Sequence, residues 1–136
     1  MDESPIKVLI VDDEPGIVHG MSRFLIRRGF KVLAASDGKT ALEIFEKERP
    51  QINLIDIYLG DLDGIELLQK IKEMDKNAEC VMVTRITDQD TFDKAAKLGA
   101  RHYVYKPFAT EDWLPKVMEI ADSIKKREQR LGQSVK

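Results

Sequence analysis

With 136 residues, 43% of them hydrophobic, the chain is long enough to form one domain with its own core. The net charge of −2 argues neither for nor against a nucleic-acid partner, and the single cysteine excludes an internal disulfide. No apolar run approaches the roughly 20 residues that span a bilayer, and the N-terminal sequence MDESPIK lacks the basic and apolar regions of a signal peptide. We therefore expect a cytoplasmic protein with no membrane partner.

Five short, β-rich apolar segments alternate with helical segments along the chain. Strands are predicted at residues 6–11, 31–35, 52–56, 79–83 and 102–105. A helix follows each strand: the first begins at Pro15, the fourth covers about residues 90–98, and the last runs from about Thr110 towards Leu131. Nearly continuous apolar strands are typical of a parallel sheet buried on both faces. Because strands and helices alternate, we predict an α/β domain with helices on both faces of the sheet.

The last predicted helix is unusually long, and its composition changes near its middle. Its apolar residues keep helical spacing as far as Ile124, so its first half is predicted to pack on the sheet. Residues 121–136 carry five basic side chains against two acidic ones. We assign residues 1–122 to the domain and residues 123–136 to a basic helix extension or linker stub, which either extends into solvent or frays.

Polar residues stand at the carboxyl ends of four predicted strands. Asp12 and Asp13 follow the first strand, Asp56 the third, Thr84 the fourth and Lys106 the fifth. In open α/β sheets, ligands bind outside the carboxyl ends of the strands, so these side chains are predicted to form one site. Clustered carboxylates need a positive partner, and oxygen ligands suit a hard cation such as Mg²⁺.

Each residue type suggests a role in phosphoryl transfer. Asp56 is the best candidate nucleophile, because a carboxylate that attacks phosphorus forms an acyl phosphate. Lys106 supplies a point cation for a phosphoryl oxygen, and Thr84 supplies a hydroxyl donor. One residue of the Asp12–Asp13 pair could instead cap the helix that begins at Pro15.

Other kinds of site find little support in the sequence. There is no glycine-rich phosphate loop and no GxSxG motif. His19 and His102 lack the spacing of zinc ligands, and each is predicted to be structural or on the surface. Cys80 lies inside an apolar strand and is predicted to be a buried structural thiol.

The segments VLIVDDEPGI, LIDIYLGDLDGIELL, VMVT and GARHYVYKPF resemble the receiver domain of two-component response regulators. The resemblance covers roughly residues 5–122, with the motifs in the order and spacing of that family. It implies a flavodoxin-like (βα)5 fold with five parallel strands in the order 2-1-3-4-5.

The resemblance also implies a role for each site residue. Asp56 would be the phosphoacceptor, charged by a sensor histidine kinase or a phosphotransfer protein. Mg²⁺ would be held by Asp12, Asp13, Asp56 and the backbone carbonyl of Tyr58. The phosphoryl group would be contacted by Thr84 and Lys106.

A conformational switch is a further implication of the resemblance. Thr84 would move towards the phosphoryl group and let Tyr103 turn inward. That movement would change the face formed by the fourth helix, fifth strand and fifth helix, which would control an output partner or form a homodimer. From the residues alone, Tyr103 is more simply a core aromatic.

The chain departs from the family pattern at several positions. Arg85 follows Thr84 where the family usually has a small residue, and it is predicted to shield the phosphoryl group or alter access to it. Gly60 stands where the family commonly has proline, which predicts a more mobile loop. Arg101 and His102 replace a frequently acidic stretch and add positive charge to the output face.

The sequence leaves two alternatives to a phosphorylation switch. One is a degenerate receiver that binds proteins regardless of phosphorylation, and the other is a Mg²⁺-dependent aspartyl phosphohydrolase. The hydrolase needs a second carboxylate two residues past the nucleophile, where this chain has Tyr58. We expect no enzymatic activity beyond phosphorylation and dephosphorylation of Asp56, and no direct nucleic-acid binding. The sequence leaves open the kinase, the stimulus, the target, the oligomeric state and whether the domain belongs to a longer regulator.

Overall fold

The computed structural model of the protein describes residues 4–134 and forms one parallel sheet with helices on both faces. The strands, in the order β2-β1-β3-β4-β5, confirm the predicted topology. They are β1 (Lys7–Val11), β2 (Lys31–Ala35), β3 (Ile52–Ile55), β4 (Glu79–Thr84) and β5 (His102–Tyr105). The helices are α1 (Pro15–Arg27), α2 (Gly38–Glu48), α3 (Gly64–Met74), α4 (Gln89–Lys97) and α5 (Thr110–Ser134). Predicted strand ends differ from these by at most one residue.

Two hydrophobic layers hold the sheet because successive residues of a strand point to opposite faces. Val8 and Ile10 of β1 pack in the layer beneath α1 and α5. Leu9 and Val11 pack in the opposite layer, beneath α2, α3 and α4. All four residues of β3 are buried, so the central strand is covered on both faces. This explains the nearly unbroken apolar runs of the sequence.

An aspartate is the N-terminal capping residue of three helices, each of which starts at the carboxyl edge of the sheet. The carboxylate of Asp37 accepts a hydrogen bond from the backbone N–H of Thr40 at the start of α2. Asp63 and Asp88 cap α3 and α4 in the same way. Such caps satisfy backbone N–H groups that have no partner within the helix. They fix the helix starts beside the strand ends that carry the predicted site.

Helix α5 is continuous from Thr110 to Ser134, so the basic segment after Ile124 continues the same helix. Its buried residues end at Ile124, which confirms that its first half packs on the sheet. The predicted domain boundary at residue 122 lies inside this helix and stays a prediction. A groove of about 740 Å³ separates the later turns of α5 from residues 4–6 and 28–30. Among residues 4–134, no helix has the length and apolar character needed to cross a membrane.

Candidate functional site

Backbone hydrogen bonds fix three predicted site residues just beyond the strand ends. The N–H of Asp12 donates to the carbonyl of Ala35 at 3.0 Å, and the N–H of Asp56 donates to that of Val11 at 2.9 Å. The N–H of Lys106 donates to the carbonyl of Thr84 at 2.9 Å. These bonds extend the ladders of the sheet by one residue. The carboxyl edge therefore brings together side chains that are far apart in sequence.

The ammonium of Lys106 lies at the centre of the site. Its Nζ is 2.7 Å from Asp12, 2.6 Å from Glu14 and 2.8 Å from Asp56, measured to one oxygen of each carboxylate. The Lys106 side chain has no exposed surface. Burial alone lowers the pKa of the ammonium, but the hydrogen bonds to Asp12, Asp56 and Glu14 outweigh burial and raise it above its usual range. Lys106 is therefore a permanent cation that neutralises part of the cluster.

Asp12 and Asp56 are both buried, and both accept backbone hydrogen bonds beside Lys106. One oxygen of Asp56 accepts from the N–H of Ile57 at 2.7 Å, and the other accepts from Lys106. Asp12 accepts from the N–H of Glu14 at 2.9 Å. Burial raises the pKa of Asp12 despite the opposing hydrogen bond from Lys106. A carboxylate kept out of water in this way gains from any further cation.

Four carboxylates form a cluster that could hold a metal ion. Asp12, Asp13, Glu14 and Asp56 each offer one oxygen, and these oxygens lie within 4.8 Å of one another. A donor set made only of oxygens fits Mg²⁺, which uses few carboxylates and keeps several waters. The side chain of Tyr58 is 71% exposed, and the part of its backbone carbonyl in metal binding stays a prediction.

Glu14 was missed by the sequence reasoning. It is the N-terminal capping residue of α1, yet its side chain makes no capping hydrogen bond. One oxygen instead accepts from Lys106 at 2.6 Å and from Arg85 at 2.8 Å. The hydrogen bonds from Arg85 and then Lys106 lower the pKa of Glu14 to about 2. The available signal was its position, third in a run of acidic residues after β1.

Thr84 and Tyr103 are linked through Ile86, in the loop that follows β4. The hydroxyl of Thr84 is buried and accepts a hydrogen bond from the N–H of Ile86 at 3.4 Å. The hydroxyl of Tyr103 donates to the carbonyl of Ile86 at 2.8 Å. The Tyr103 ring lies between Phe92 and Tyr105, with centroids 5.4 and 5.1 Å away. Burial, followed by the nearby Tyr105, raises the pKa of Tyr103 to about 12, so its hydroxyl stays a donor at neutral pH.

The loop between β3 and α3 is anchored on both sides. Gly64 packs so closely on the backbone carbonyl of Asp56 that a Cβ would collide with it, and its N–H donates to Ile57 at 2.8 Å. Asp61 accepts from the backbone N–H groups of Gly38 and Lys39 at 2.9 and 3.0 Å, at the start of α2. These contacts tie the loop to the sheet and to α2, and the mobility predicted from Gly60 stays a prediction.

Gly60 lies within that loop and has a φ of 84°. Proline is locked near −65°, so it cannot take this left-handed conformation. A proline at position 60 would therefore not fit the backbone that this loop adopts.

The cysteine, both histidines and Arg101 lie outside the cluster of four carboxylates. Cys80 is fully buried, which confirms the prediction, and burial raises the pKa of its thiol to about 12. His19 is exposed on α1. His102 is half-buried with its Nε2 3.6 Å from Glu119. Arg101 pairs with Glu79 and Glu119 at 2.9 and 2.8 Å, so the charge it adds to that face is balanced within the chain.

Comparison with known proteins agrees with the fold. Residues 8–118 match the response regulator receiver domain. The chain therefore belongs to the response regulator receiver family, whose members are phosphorylation-dependent signalling domains rather than conventional enzymes.

Two curated relatives and one solved structure illustrate the match. The sporulation initiation phosphotransferase F of Bacillus subtilis is 34% identical over 88% of this chain and 91% of its own length. The transcriptional regulatory protein TrcR of Mycobacterium tuberculosis is 36% identical over 82% of this chain, which spans only 43% of that protein. A CheY-like receiver domain from Methanospirillum hungatei superposes with a TM-score of 0.86 at 31% identity, covering 91% of this chain and 99% of the other.

Proposed function

We propose that the protein is a phosphorylation-dependent switch that accepts a phosphoryl group on Asp56 from a sensor histidine kinase or a phosphotransfer protein. The observation that carries this proposal is the contact between Lys106 and Asp56, which is 2.8 Å long and buried within the acidic cluster. A nucleophile beside a fixed cation, at the carboxyl edge of a parallel sheet, is suited to phosphoryl transfer.

The residues of the cluster divide the chemistry among them. A carboxylate oxygen of Asp56 attacks phosphorus, and the bond from phosphorus to the donor breaks with its electron pair on the donor. Lys106 then offers its ammonium to an oxygen of the transferred group, and Thr84 offers its hydroxyl. Asp12, Asp13, Asp56 and the carbonyl of Tyr58 are assigned as ligands of Mg²⁺. When bound, the ion neutralises charge on the transferred group.

The contacts around Ile86 support a route from the site to the surface. Thr84 and Tyr103 both bond to the backbone of Ile86. A shift of Thr84 towards the phosphoryl group moves that backbone and changes the place of Tyr103 between Phe92 and Tyr105. Both of these neighbours are exposed aromatics, so the change reaches the face of α4, β5 and α5. This face is assigned to an output partner or to a homodimer.

The domain bounds, the location and the activity of the protein are part of the same proposal. Residues 1–122 form the receiver, and residues 123–136 form a basic extension or linker stub. The protein acts in the cytoplasm and catalyses only the gain and loss of its own phosphoryl group. This segment does not bind nucleic acid directly. A degenerate receiver is disfavoured because Lys106 still contacts both Asp12 and Asp56.

Intact mass spectrometry tests the proposal. Wild type, Asp56→Asn and the surface control Asp122→Asn are incubated with Mg²⁺ and acetyl phosphate, with and without chelator. We expect one added phosphoryl group on wild type and on the control, none on Asp56→Asn, and none with chelator. Wild type that binds Mg²⁺ by calorimetry but gains no phosphoryl group would contradict the proposal and favour a degenerate receiver.

A further inference from the structure

An ion pair joins two loops above Asp56. Arg85, which directly follows β4, donates from its guanidinium to a carboxylate oxygen of Glu14 at 2.8 Å. Glu14 lies in the loop that follows β1. In the sheet, β3 lies between β1 and β4. The ion pair therefore crosses the carboxyl end of β3, and this is where Asp56 lies.

The exposure of the side chains gives the order of the layers. Lys106 has no exposed side-chain surface, and the side chain of Asp56 is 8% exposed. Arg85 and Glu14 have side chains that are 58% and 39% exposed. The Arg85–Glu14 pair thus lies on the solvent side of the reacting carboxylate, where a phosphoryl donor or an attacking water must pass.

Glu14 also connects the exposed Arg85 side chain to the buried ammonium of Lys106. The same carboxylate oxygen contacts Arg85 at 2.8 Å and Lys106 at 2.6 Å. If Lys106 turned to a phosphoryl oxygen and released this contact, the ion pair with Arg85 would still hold Glu14. Glu14 would then stay over the site instead of swinging into solvent.

We propose that Arg85, held by Glu14, covers the phosphorylated Asp56 and slows hydrolysis of its acyl phosphate. This inference rests on the proposed function. In hydrolysis, a water oxygen bonds to phosphorus while the bond from phosphorus to the Asp56 oxygen breaks, leaving its electron pair on the carboxylate. Both water protons depart on dihydrogen phosphate. The Arg85–Glu14 ion pair lies across the path to the phosphorylated Asp56 and excludes water from this step. Arg85 is therefore a positioning residue that lengthens the lifetime of the acyl phosphate.

The decay of the phosphorylated protein tests this role. Wild type, Arg85→Ala, Arg85→Lys, Glu14→Gln and the double variant are loaded with acetyl phosphate, freed of donor, and followed by intact mass at saturating Mg²⁺. We expect Arg85→Ala to lose the phosphoryl group faster by on the order of five-fold, the scale set by one partly exposed ion pair. Arg85→Lys keeps the charge and should be intermediate. Arg101→Ala, which removes an ion-paired arginine at the opposite edge of the sheet, should decay like wild type.

The double variant asks whether Arg85 acts through Glu14. If it does, adding Arg85→Ala to Glu14→Gln gives no further acceleration, since both changes remove the same pair. An undiminished effect of Arg85→Ala in the Glu14→Gln background would overturn the proposed route. Wild-type decay in Arg85→Ala would overturn the cover itself while leaving the proposed function intact. A wild-type protein that takes no phosphoryl group refutes both.

Calorimetric titration of the unphosphorylated protein with Mg²⁺ distinguishes exclusion of water by Arg85 from a simple effect of its positive charge. Removal of the Arg85 cation should tighten Mg²⁺ binding by a few-fold, because like charges repel across short distances. If Arg85→Ala changes only this affinity, and the decay at saturating Mg²⁺ equals that of wild type, charge alone explains Arg85 and the cover is wrong.

Discussion

Replacement of Lys106 by methionine is the most informative single perturbation of the site. Methionine fills similar space without a charge, and it leaves Asp12, Glu14 and Asp56 without the cation that contacts all three. Removal of one partner from a buried ion pair costs about 3–5 kcal/mol. The lower end applies here, since Glu14 is 39% exposed and can turn its charge to water. We therefore expect a loss of about 3 kcal/mol in the free energy of unfolding without metal.

Urea denaturation measures this loss. With an m value of about 1.5 kcal/mol per molar, a loss of 3 kcal/mol lowers the urea midpoint by roughly 2 M in the presence of chelator. Mg²⁺ at about 100 times its dissociation constant adds about 2.7 kcal/mol to the variant. The variant in Mg²⁺ should therefore approach the stability of the metal-free wild type, and it should bind Mg²⁺ more tightly because the competing ammonium is gone.

Lys126→Met supplies the control for this experiment. Lys126 forms an exposed pair with Asp122 on α5, far from the cluster. Its replacement should leave the midpoint unchanged in both conditions. If Lys106→Met unfolds at the wild-type midpoint in chelator, or if Mg²⁺ stabilises it no more than it stabilises wild type, Lys106 does not neutralise the cluster and our reasoning is refuted.

Three further predictions concern the packing around the site and the core. Gly64→Ala forces a Cβ against the backbone of Asp56, with Ile57 Cα only 2.6 Å away. We expect urea denaturation to show a loss of about 2 kcal/mol in the free energy of unfolding, together with poor phosphorylation. Normal phosphorylation would contradict this. Asn53→Leu removes a fully buried amide whose oxygen has no hydrogen-bond partner among the described residues; it should stabilise by about 1 kcal/mol, and a lower urea midpoint would show that the two bonds from its Nδ2 matter more. Burial raises the pKa of the Cys80 thiol from 9.0 to about 12. The neutral thiol therefore contributes its full stability below pH 9, and this contribution is lost as the pH rises towards 12. In Cys80→Ala, the free energy of unfolding should fall less steeply with pH in this window.

The sequence predicted the sheet because its three central strands, β1, β3 and β4, are buried on both faces. The four residues of β3 and the last four of β1 are all buried, so their apolar runs could not be mistaken for half-exposed strands. Thr84 was placed just after its strand and proved to be its last residue, since a threonine fits either position. The long α5 was also predicted, but its composition did not decide between an extended and a frayed end.

The composition of the site followed from the sheet, whereas its contacts did not. Asp12, Asp56 and Lys106 were predicted from strand ends alone, because the carboxyl ends of parallel strands share one edge. The Glu14–Arg85 contact links residues 71 positions apart. It depends on the loops after β1 and β4 meeting across β3, which no local pattern reveals. Similarly, the contact of Gly64 with Asp56 depends on how the loop returns to the sheet.

The charges of the cluster explain why a divalent ion suits it better than a further lysine. Asp12, Asp13, Glu14 and Asp56 form the cluster, and Lys106 and Arg85 are the cations that contact it. Four carboxylates against two cations leave a net charge of −2, which one Mg²⁺ balances. A third ammonium would balance only half of this charge. Because a buried carboxylate without a cation is costly, the metal-free site is held together by Lys106 and remains short of positive charge.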